Sequence, residues 1–142
     1  MDDPHNLQRF VVAQEGVYDA ALAELQAGAK QSHWMWFIFP QLAGLGRSPT
    51  AQFYGLASID EAVAYLAHPT LGPRLRECVD ALLPWAGSRT AEQILGPIDA
   101  LKLCSSLTLF DRVAPGDLFG RALTALYGEP DERTLALLNA AR

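Results

Sequence analysis

Short amphipathic stretches, each closed by a glycine or a proline, fill most of this chain and limit it to a helical architecture. Between residues 17 and 27, apolar side chains recur at every third or fourth position, which is the period of one helix face. Ser58 with Glu61, and Thr90 with Gln93, have the spacing of capping boxes, in which two side chains satisfy free amides at a helix start. The pattern predicts a mainly α protein.

Length and composition indicate that these helices form one domain. The chain has 142 residues, half of them apolar, which is enough to bury a core without disulfides or metals. Since no linker or internal repeat divides it, we expect a single compact helical domain over 1–142, with about seven helices and at most one short strand pair. Cys78 and Cys104 lie in apolar, helix-like contexts and are expected to be reduced core thiols.

Charge and hydropathy argue against several kinds of partner. The formal net charge is −5 and the eleven basic residues are dispersed, so no patch is suited to neutralising nucleic-acid phosphates. No stretch approaches the roughly 18 uninterrupted apolar residues of a membrane helix, and residues 1–10 do not resemble a secretory signal. We therefore expect a cytoplasmic protein that binds neither membranes nor nucleic acid. Three histidines and scattered carboxylates give no metal-ligand spacing, and no cofactor motif is present.

The first stretch with candidate chemistry spans 30–46, KQSHWMWFIFPQLAGLG. Trp34 and Trp36 beside Lys30 and His33 would suit an aromatic-lined pocket, since an indole supplies contact area and an imidazole exchanges a proton near neutrality. Gln41 is a further polar group beside the apolar run, and such groups need partners. The alternative is structural: the six apolar residues after the histidine fill the core, as a short buried strand or as a helical segment, which periodicity does not distinguish.

The second stretch spans 99–108, DALKLCSSLT. On a helix, Asp99, Lys102 and Ser106 lie within roughly 60° of one another, and Ser105 borders them. Because the rest of this helix is apolar, the narrow polar stripe faces either a pocket or a thin strip of solvent. A local ion pair between Asp99 and Lys102, worth roughly 0.2–0.5 kcal/mol, explains their spacing equally well.

Lysine usage favours a functional interpretation of both stretches. The chain contains nine arginines but only two lysines, and Lys30 and Lys102 fall one in each stretch. A compact ammonium group is not interchangeable with a guanidinium when a small anion or an adjustable pKa is required. Coincidence is the competing explanation, since only eleven positions are basic.

Residues spread over nearly the whole chain also carry a family resemblance. The runs HWMWFIFPQLAGLG at 33–46 and EAVAYLAHPTLGPRL at 61–75, followed by Asp99 and then SSLTLF, resemble a small microbial family of unknown function whose members are often labelled "calpastatin". The resemblance implies a mainly helical fold and no established activity. Inhibitors of that name are disordered repeats of low hydrophobicity, whereas half of this chain is apolar, so the label carries no functional expectation.

Together the two stretches predict one small-molecule site formed by segments distant in the chain. Its predicted catalytic residues are His33, Asp99 and Lys102, and its predicted ligand-binding residues are Lys30, Trp34, Trp36, Gln41, Ser105 and Ser106. The expected ligand is anionic and aromatic, such as a nucleotide, and a hydrolase of the ADP-ribose-processing type is suggested only by analogy. The alternative is a non-enzymatic protein-interaction module, in which the aromatic run is a core strip or a flat partner-binding patch.

Overall fold

The computed structural model describes residues 3–140, which form ten α-helices and one 3-10 helix. In chain order these are α1 (Gln8–Gln14), α2 (Tyr18–Gln26), α3 (Met35–Ile38), α4 (Pro49–Tyr54), α5 (Ile59–Ala67), α6 (Leu71–Leu82), the 3-10 helix (Leu83–Trp85), α7 (Ala91–Leu95), α8 (Pro97–Val113), α9 (Leu118–Leu126) and α10 (Glu132–Ala140). The predicted mainly α fold is confirmed. The described residues form more helices than the seven or so expected. Four of these helices are short, with 4 to 7 residues each: α1, α3, α4 and α7.

The longest helix, α8, forms the centre of the fold. Its 17 residues pack against α5, α7, α9 and α10, and nearly every side chain from Leu103 to Phe110 is buried. Helix α6 contacts α2, α5 and α9 and completes the core. Within residues 3–140, no helix is long and apolar enough to cross a membrane.

The two predicted capping boxes differ in outcome. Thr90 and Gln93 form a complete box at the start of α7. Ser58 caps α5 by accepting from the amide of Glu61, but the Glu61 carboxylate accepts from the Ala57 amide at 2.7 Å and not from the cap residue itself. Its second oxygen binds Arg9 at 2.8 Å, so this glutamate links α5 to α1 as well as supporting the helix start.

The aromatic run that periodicity leaves undecided is helical. Met35–Ile38 forms the single turn α3, which ends just before Pro40. Gln14 of α1 holds this turn in place, since its side-chain amide donates to the carbonyl of Phe37 at 2.8 Å. Downstream, an isolated parallel bridge between Leu42 and Leu56 is the one strand-like pairing in the described part of the chain.

Both cysteines are free thiols. Cys78 is buried, and burial raises the pKa of its thiol to about 12. Cys104 is half-buried, and desolvation raises its pKa to about 11, with a further contribution from the nearby Asp131 charge. A nucleophilic cysteine needs the opposite shift, so neither thiol is activated for covalent chemistry.

Candidate functional site

The loop that carries Lys30 is held against the end of α7, just before α8 begins. The Lys30 backbone amide donates to the carbonyl of Ile94 in α7 at 2.8 Å. Gly96 then redirects the chain with a φ of 90°, a conformation that favours glycine, and Pro97 opens α8. Asp99 lies in the first turn of α8, where the helix dipole stabilises a carboxylate. Lys30 and Asp99 therefore meet despite their separation in the sequence.

The Asp99 carboxylate is shared by both lysines of the chain. Lys30 Nζ lies 3.0 Å from Oδ2, and Lys102 Nζ lies 3.2 Å from Oδ1. The three side chains are 10% to 19% exposed, so they are largely withdrawn from water but still reachable. An ammonium group has three N–H donors. Among residues 3–140, Lys30 and Lys102 each have a single carboxylate partner, Asp99. Both lysines therefore keep donors for a ligand.

Each lysine also lies over an indole ring. Lys30 Nζ is 5.0 Å from the ring centroid of Trp34, and Lys102 Nζ is 3.9 Å from that of Trp36, which is within the range of a cation–π contact. Trp34 is 1% exposed and acts as a buried wall behind its lysine. Trp36 is half-buried, and part of its ring is accessible.

These groups line a concavity of about 360 Å³, which we call the first hollow. Six of the predicted site residues meet there, together with Met35, Phe37 and Thr50: Lys30, His33, Trp34, Trp36, Asp99 and Lys102. The imidazole of His33 is exposed at the rim. The structure thus brings the two predicted stretches to one concavity.

A second concavity of about 300 Å³, the second hollow, adjoins the first and shares Trp36 and Lys102 with it. Two more predicted residues, Gln41 and Ser105, line it. The remaining lining residues are Leu45, Gly46, Ile98, Leu101, Asp131 and Arg133. The predicted residues are therefore divided between two neighbouring hollows.

The two serines of the predicted stripe have different surroundings. The single hydroxyl proton of Ser105 has two acceptors within reach, the Leu101 carbonyl at 3.1 Å and Asp131 Oδ2 at 3.2 Å from Oγ, so it is satisfied within the protein. Ser106 is 1% exposed, lines neither hollow, and its Oγ has no hydrogen-bond partner among the described residues. Helical periodicity placed Ser106 beside Asp99 and Lys102, but α8 runs into the core before it reaches this position.

Glu24 of α2 supports the site, although it is not among the predicted site residues. Its Oε1 accepts from the amides of Gln31 and Ser32 and from Trp34 Nε1 at 2.7 to 2.9 Å, and its Oε2 accepts from the Ser32 hydroxyl. Desolvation alone would raise the pKa of Glu24, but the Ser32 hydroxyl, the two amides and the indole lower it to about 2. The carboxylate thereby fixes the loop between Lys30 and α3. Helical periodicity gives Glu24 no role in the site, because its donors lie in a loop.

A larger concavity, of about 630 Å³, lies around Asp111, Asp117, Arg121 and Thr124, with Arg121 and Thr124 exposed. It contains no cation withdrawn from water of the kind formed by Lys30 and Lys102. Within the described ranges, no group of three or more histidine, cysteine or carboxylate side chains is arranged to hold a metal ion.

Comparisons with known proteins give a family but no activity. A family model described as "Protein of unknown function (DUF1810)" matches residues 4–138. The crystal structure of the conserved hypothetical protein Rv1873 from Mycobacterium tuberculosis is similar over 96% of this chain and 99% of that one, with 52% sequence identity and a TM-score of 0.91. No curated protein matches. Neither description carries the calpastatin label. The chain belongs to the DUF1810 family of proteins of unknown function.

Proposed function

We propose that this protein binds a small anionic, nucleotide-like ligand in the first hollow. The observation that carries the proposal is the shared carboxylate: Lys30 and Lys102 both lie against Asp99, so two positive charges face one negative charge. The whole chain has a net charge of −5, which makes a local excess of positive charge at a concavity unusual for it. An incoming phosphate would complete the charge balance of the cluster.

The surroundings of the lysines strengthen an interaction with an anion. Both ammonium groups lie over indole rings and are mostly withdrawn from water, so the local dielectric is lower than at an open surface. The indole rings beside both ammonium groups restrict the two lysine side chains, which reduces the conformational entropy that a ligand must remove to order them. Trp36 supplies accessible aromatic surface for a flat part of the ligand, whereas Trp34 is a buried support.

Binding is favoured over hydrolysis by the contacts of Asp99. Both of its oxygens are occupied by lysine ammonium groups, so neither is free to approach a reacting group of the ligand. Of the predicted catalytic residues this leaves His33 and Lys102. Lys102 is paired with Asp99, whereas the exposed imidazole of His33 has no partner among the described residues and lies at the rim of the first hollow. A hydrolytic reaction would therefore depend on His33 for proton transfer. Product release from ADP-ribose or a nucleotide, followed by chromatography in wild type and His33→Ala, tests this finer assignment.

A thermal-shift titration tests the binding proposal. We expect AMP, NAD or ribose 5-phosphate to raise the melting temperature of the wild type, since a ligand at 100 times its Kd stabilises the folded state by about 2.7 kcal/mol. Lys102→Met should abolish the shift because it removes the cation shared by both hollows. The variant should still fold, since Asp99 retains Lys30 as a partner.

A matched control is Arg121→Met, which removes the same charge from an exposed position on α9. It should leave the ligand-induced shift unchanged. The proposal is wrong if none of the three ligands stabilises the wild type, or if the control loses as much of the shift as Lys102→Met.

The interaction-module alternative makes the aromatic run a core strip or a partner-binding patch. Most of that run is buried, so the most exposed apolar side chains lie outside it. Ile98 and Leu101 are each 69% exposed, three positions apart on α8. Protein interfaces use contiguous apolar patches of several hundred Å², whereas this pair borders a concavity that also contains Lys102, Asp131 and Arg133. The mixed polar and apolar lining is more typical of a small-molecule site.

A further inference from the structure

The second hollow contains a polar side chain whose hydrogen-bonding capacity is unused. Gln41 is 9% exposed, and its side-chain amide forms no hydrogen bond with any other described residue, although it lines the hollow. Its backbone is fixed independently, because the Gln41 carbonyl accepts from the Leu56 amide at 2.9 Å. Among the described residues, Ser106 Oγ is the one buried side-chain polar atom without a partner, so the Gln41 carboxamide reaches the open space of the hollow, where its donor and acceptor are available to a ligand.

A second acceptor faces the same space. Asp131 Oδ2 accepts from the amide and hydroxyl of Thr134 and from Ser105 Oγ, at 2.6 to 3.2 Å. No donor within residues 3–140 reaches Oδ1, and Asp131 lines the second hollow. The Asp131 carboxylate is thus held in position by one oxygen, while the other is available to accept from a ligand.

Apolar side chains flank these polar groups. Ile98 and Leu101 are the two most exposed large apolar side chains of the described residues, and both line the second hollow with Trp36. Aliphatic and aromatic walls around a few hydrogen-bonding groups suit a flat heterocycle, which needs contact on its faces and specific partners at its edge.

We infer that the second hollow binds the nitrogen heterocycle of a nucleoside phosphate whose phosphate occupies the first hollow. A carboxamide presents one donor and one acceptor side by side, which matches the edge of a nucleobase, as glutamine does when it pairs with adenine. Trp36 and Lys102 line both hollows and join the two subsites. This inference rests on the proposed function and adds the class of ligand and the residue that selects it.

The test compares ligands with and without a base. Binding of AMP, GMP, CMP, UMP and ribose 5-phosphate is measured by calorimetry for the wild type and for Gln41→Leu, which keeps a similar volume but removes both hydrogen-bonding groups. We expect at least one nucleotide to bind the wild type more tightly than ribose 5-phosphate. In Gln41→Leu that nucleotide should lose roughly 5- to 150-fold in affinity, the value of one paired base edge, while ribose 5-phosphate should be unaffected.

Ile98→Ala provides a second variant that does not disturb the core, since this side chain is exposed. It should weaken the nucleotide severalfold and leave ribose 5-phosphate unchanged. The inference is overturned if no nucleotide exceeds ribose 5-phosphate in the wild type, or if Gln41→Leu, verified as folded by circular dichroism, keeps the full nucleotide preference. In both cases binding of ribose 5-phosphate would still support the anion site. Failure of all five ligands would instead overturn the proposed function as well.

Discussion

Two charged clusters of this protein differ in how completely their hydrogen bonds are satisfied. Arg9 and Glu61 join at 2.8 Å, with side chains only 9% and 5% exposed. The guanidinium has five N–H donors, and the protein supplies an acceptor for each. Lys30 and Lys102, in contrast, share one carboxylate, are 10% and 19% exposed, and keep unused donors at the edge of a concavity.

The difference separates a structural ion pair from a candidate binding site. When every donor of a buried charge is used within the protein, a ligand gains nothing there, and loss of one partner leaves the other charge unpaired. When donors remain beside a hollow, a ligand can complete the cluster. The Arg9 pair should therefore govern stability, and the lysine cluster should govern ligand affinity.

The largest effect on stability is expected for Arg9→Met, which leaves the buried Glu61 carboxylate without its cation. Removal of one member of a buried pair costs about 3–5 kcal/mol, measurable by urea unfolding. The matched variant is Arg76→Met, whose partner Asp117 lies at a similar distance of 2.9 Å but whose pair is 39% and 47% exposed. That variant should lose about 1 kcal/mol or less. Equal losses in the two variants would show that the buried, fully hydrogen-bonded Arg9 pair is no more important for stability than the exposed Arg76 pair.

An intermediate effect is expected for Glu24→Gln, because an amide cannot accept from all the donors that the carboxylate binds. We expect a loss of about 1–3 kcal/mol near neutral pH, as for hydrogen bonds to charged groups. The folded pKa of about 2 lies below the ordinary value of 4.5, so this stabilisation is present above pH 4.5 and is lost as pH falls towards 2.

Measurement of the free energy of unfolding at several pH values provides a control for the Glu24 prediction. The difference in unfolding free energy between wild type and Glu24→Gln should shrink between pH 5 and pH 2. Glu15→Gln removes the same charge from an exposed position after α1 and should change the free energy of unfolding near neutral pH far less than Glu24→Gln does. A Glu24→Gln deficit that stays constant down to pH 2 would contradict the assigned role of the carboxylate.

A small effect on stability is expected for Lys30→Met. Asp99 keeps Lys102 as a partner, and the methionine side chain can still cover Trp34, so no buried charge is left unpaired and the loss measured by urea unfolding should be well below that of Arg9→Met. Loss of AMP binding in the same variant would place the lysine in the ligand site and not in the fold. A loss of stability as large as that of Arg9→Met would instead make the lysine cluster structural.

The smallest effect is expected for Ser106→Ala. The hydroxyl of Ser106 is buried without a partner, so its removal should leave stability unchanged or increase it by up to about 1 kcal/mol. AMP affinity should also be unchanged, since Ser106 lines neither hollow. A marked loss of AMP affinity would restore Ser106 to the ligand-binding set that the helical stripe predicted.

The sequence predicts local structure and the convergence of the two lysines better than it predicts burial. Helical periodicity and caps such as Thr90 identify most helices, because these signals act within a few residues. The rarity of lysine marks Lys30 and Lys102, which do meet at Asp99. The angular position of Ser106 around the helix axis predicts that it lies beside Asp99 and Lys102 at the site. It is instead buried, because one face of α8 is open near its start and covered by neighbouring helices further along.

Other features depend on tertiary contacts that no sequence pattern records. Met35–Ile38 becomes a helical turn because α1 and α4 pack against it and Gln14 binds its backbone. Glu24 receives its donors from a loop whose path is set by the Lys30 amide and the carbonyl of Ile94. The division of the site into two hollows likewise depends on a tertiary contact, since Trp36 of α3 lies against Lys102 of α8 and both residues line the two hollows.

The most direct measurement is the affinity of Asp99→Asn for AMP by calorimetry. If Asp99 is an internal anion that balances Lys30 and Lys102, its neutralisation should strengthen AMP binding by about fivefold, which corresponds to roughly 1 kcal/mol of Coulomb energy. Asp19→Asn, which removes the same charge from an exposed position on α2, should leave the affinity unchanged. Weaker binding by Asp99→Asn, or an equal gain in the Asp19 control, would contradict an anion site formed by the two lysines.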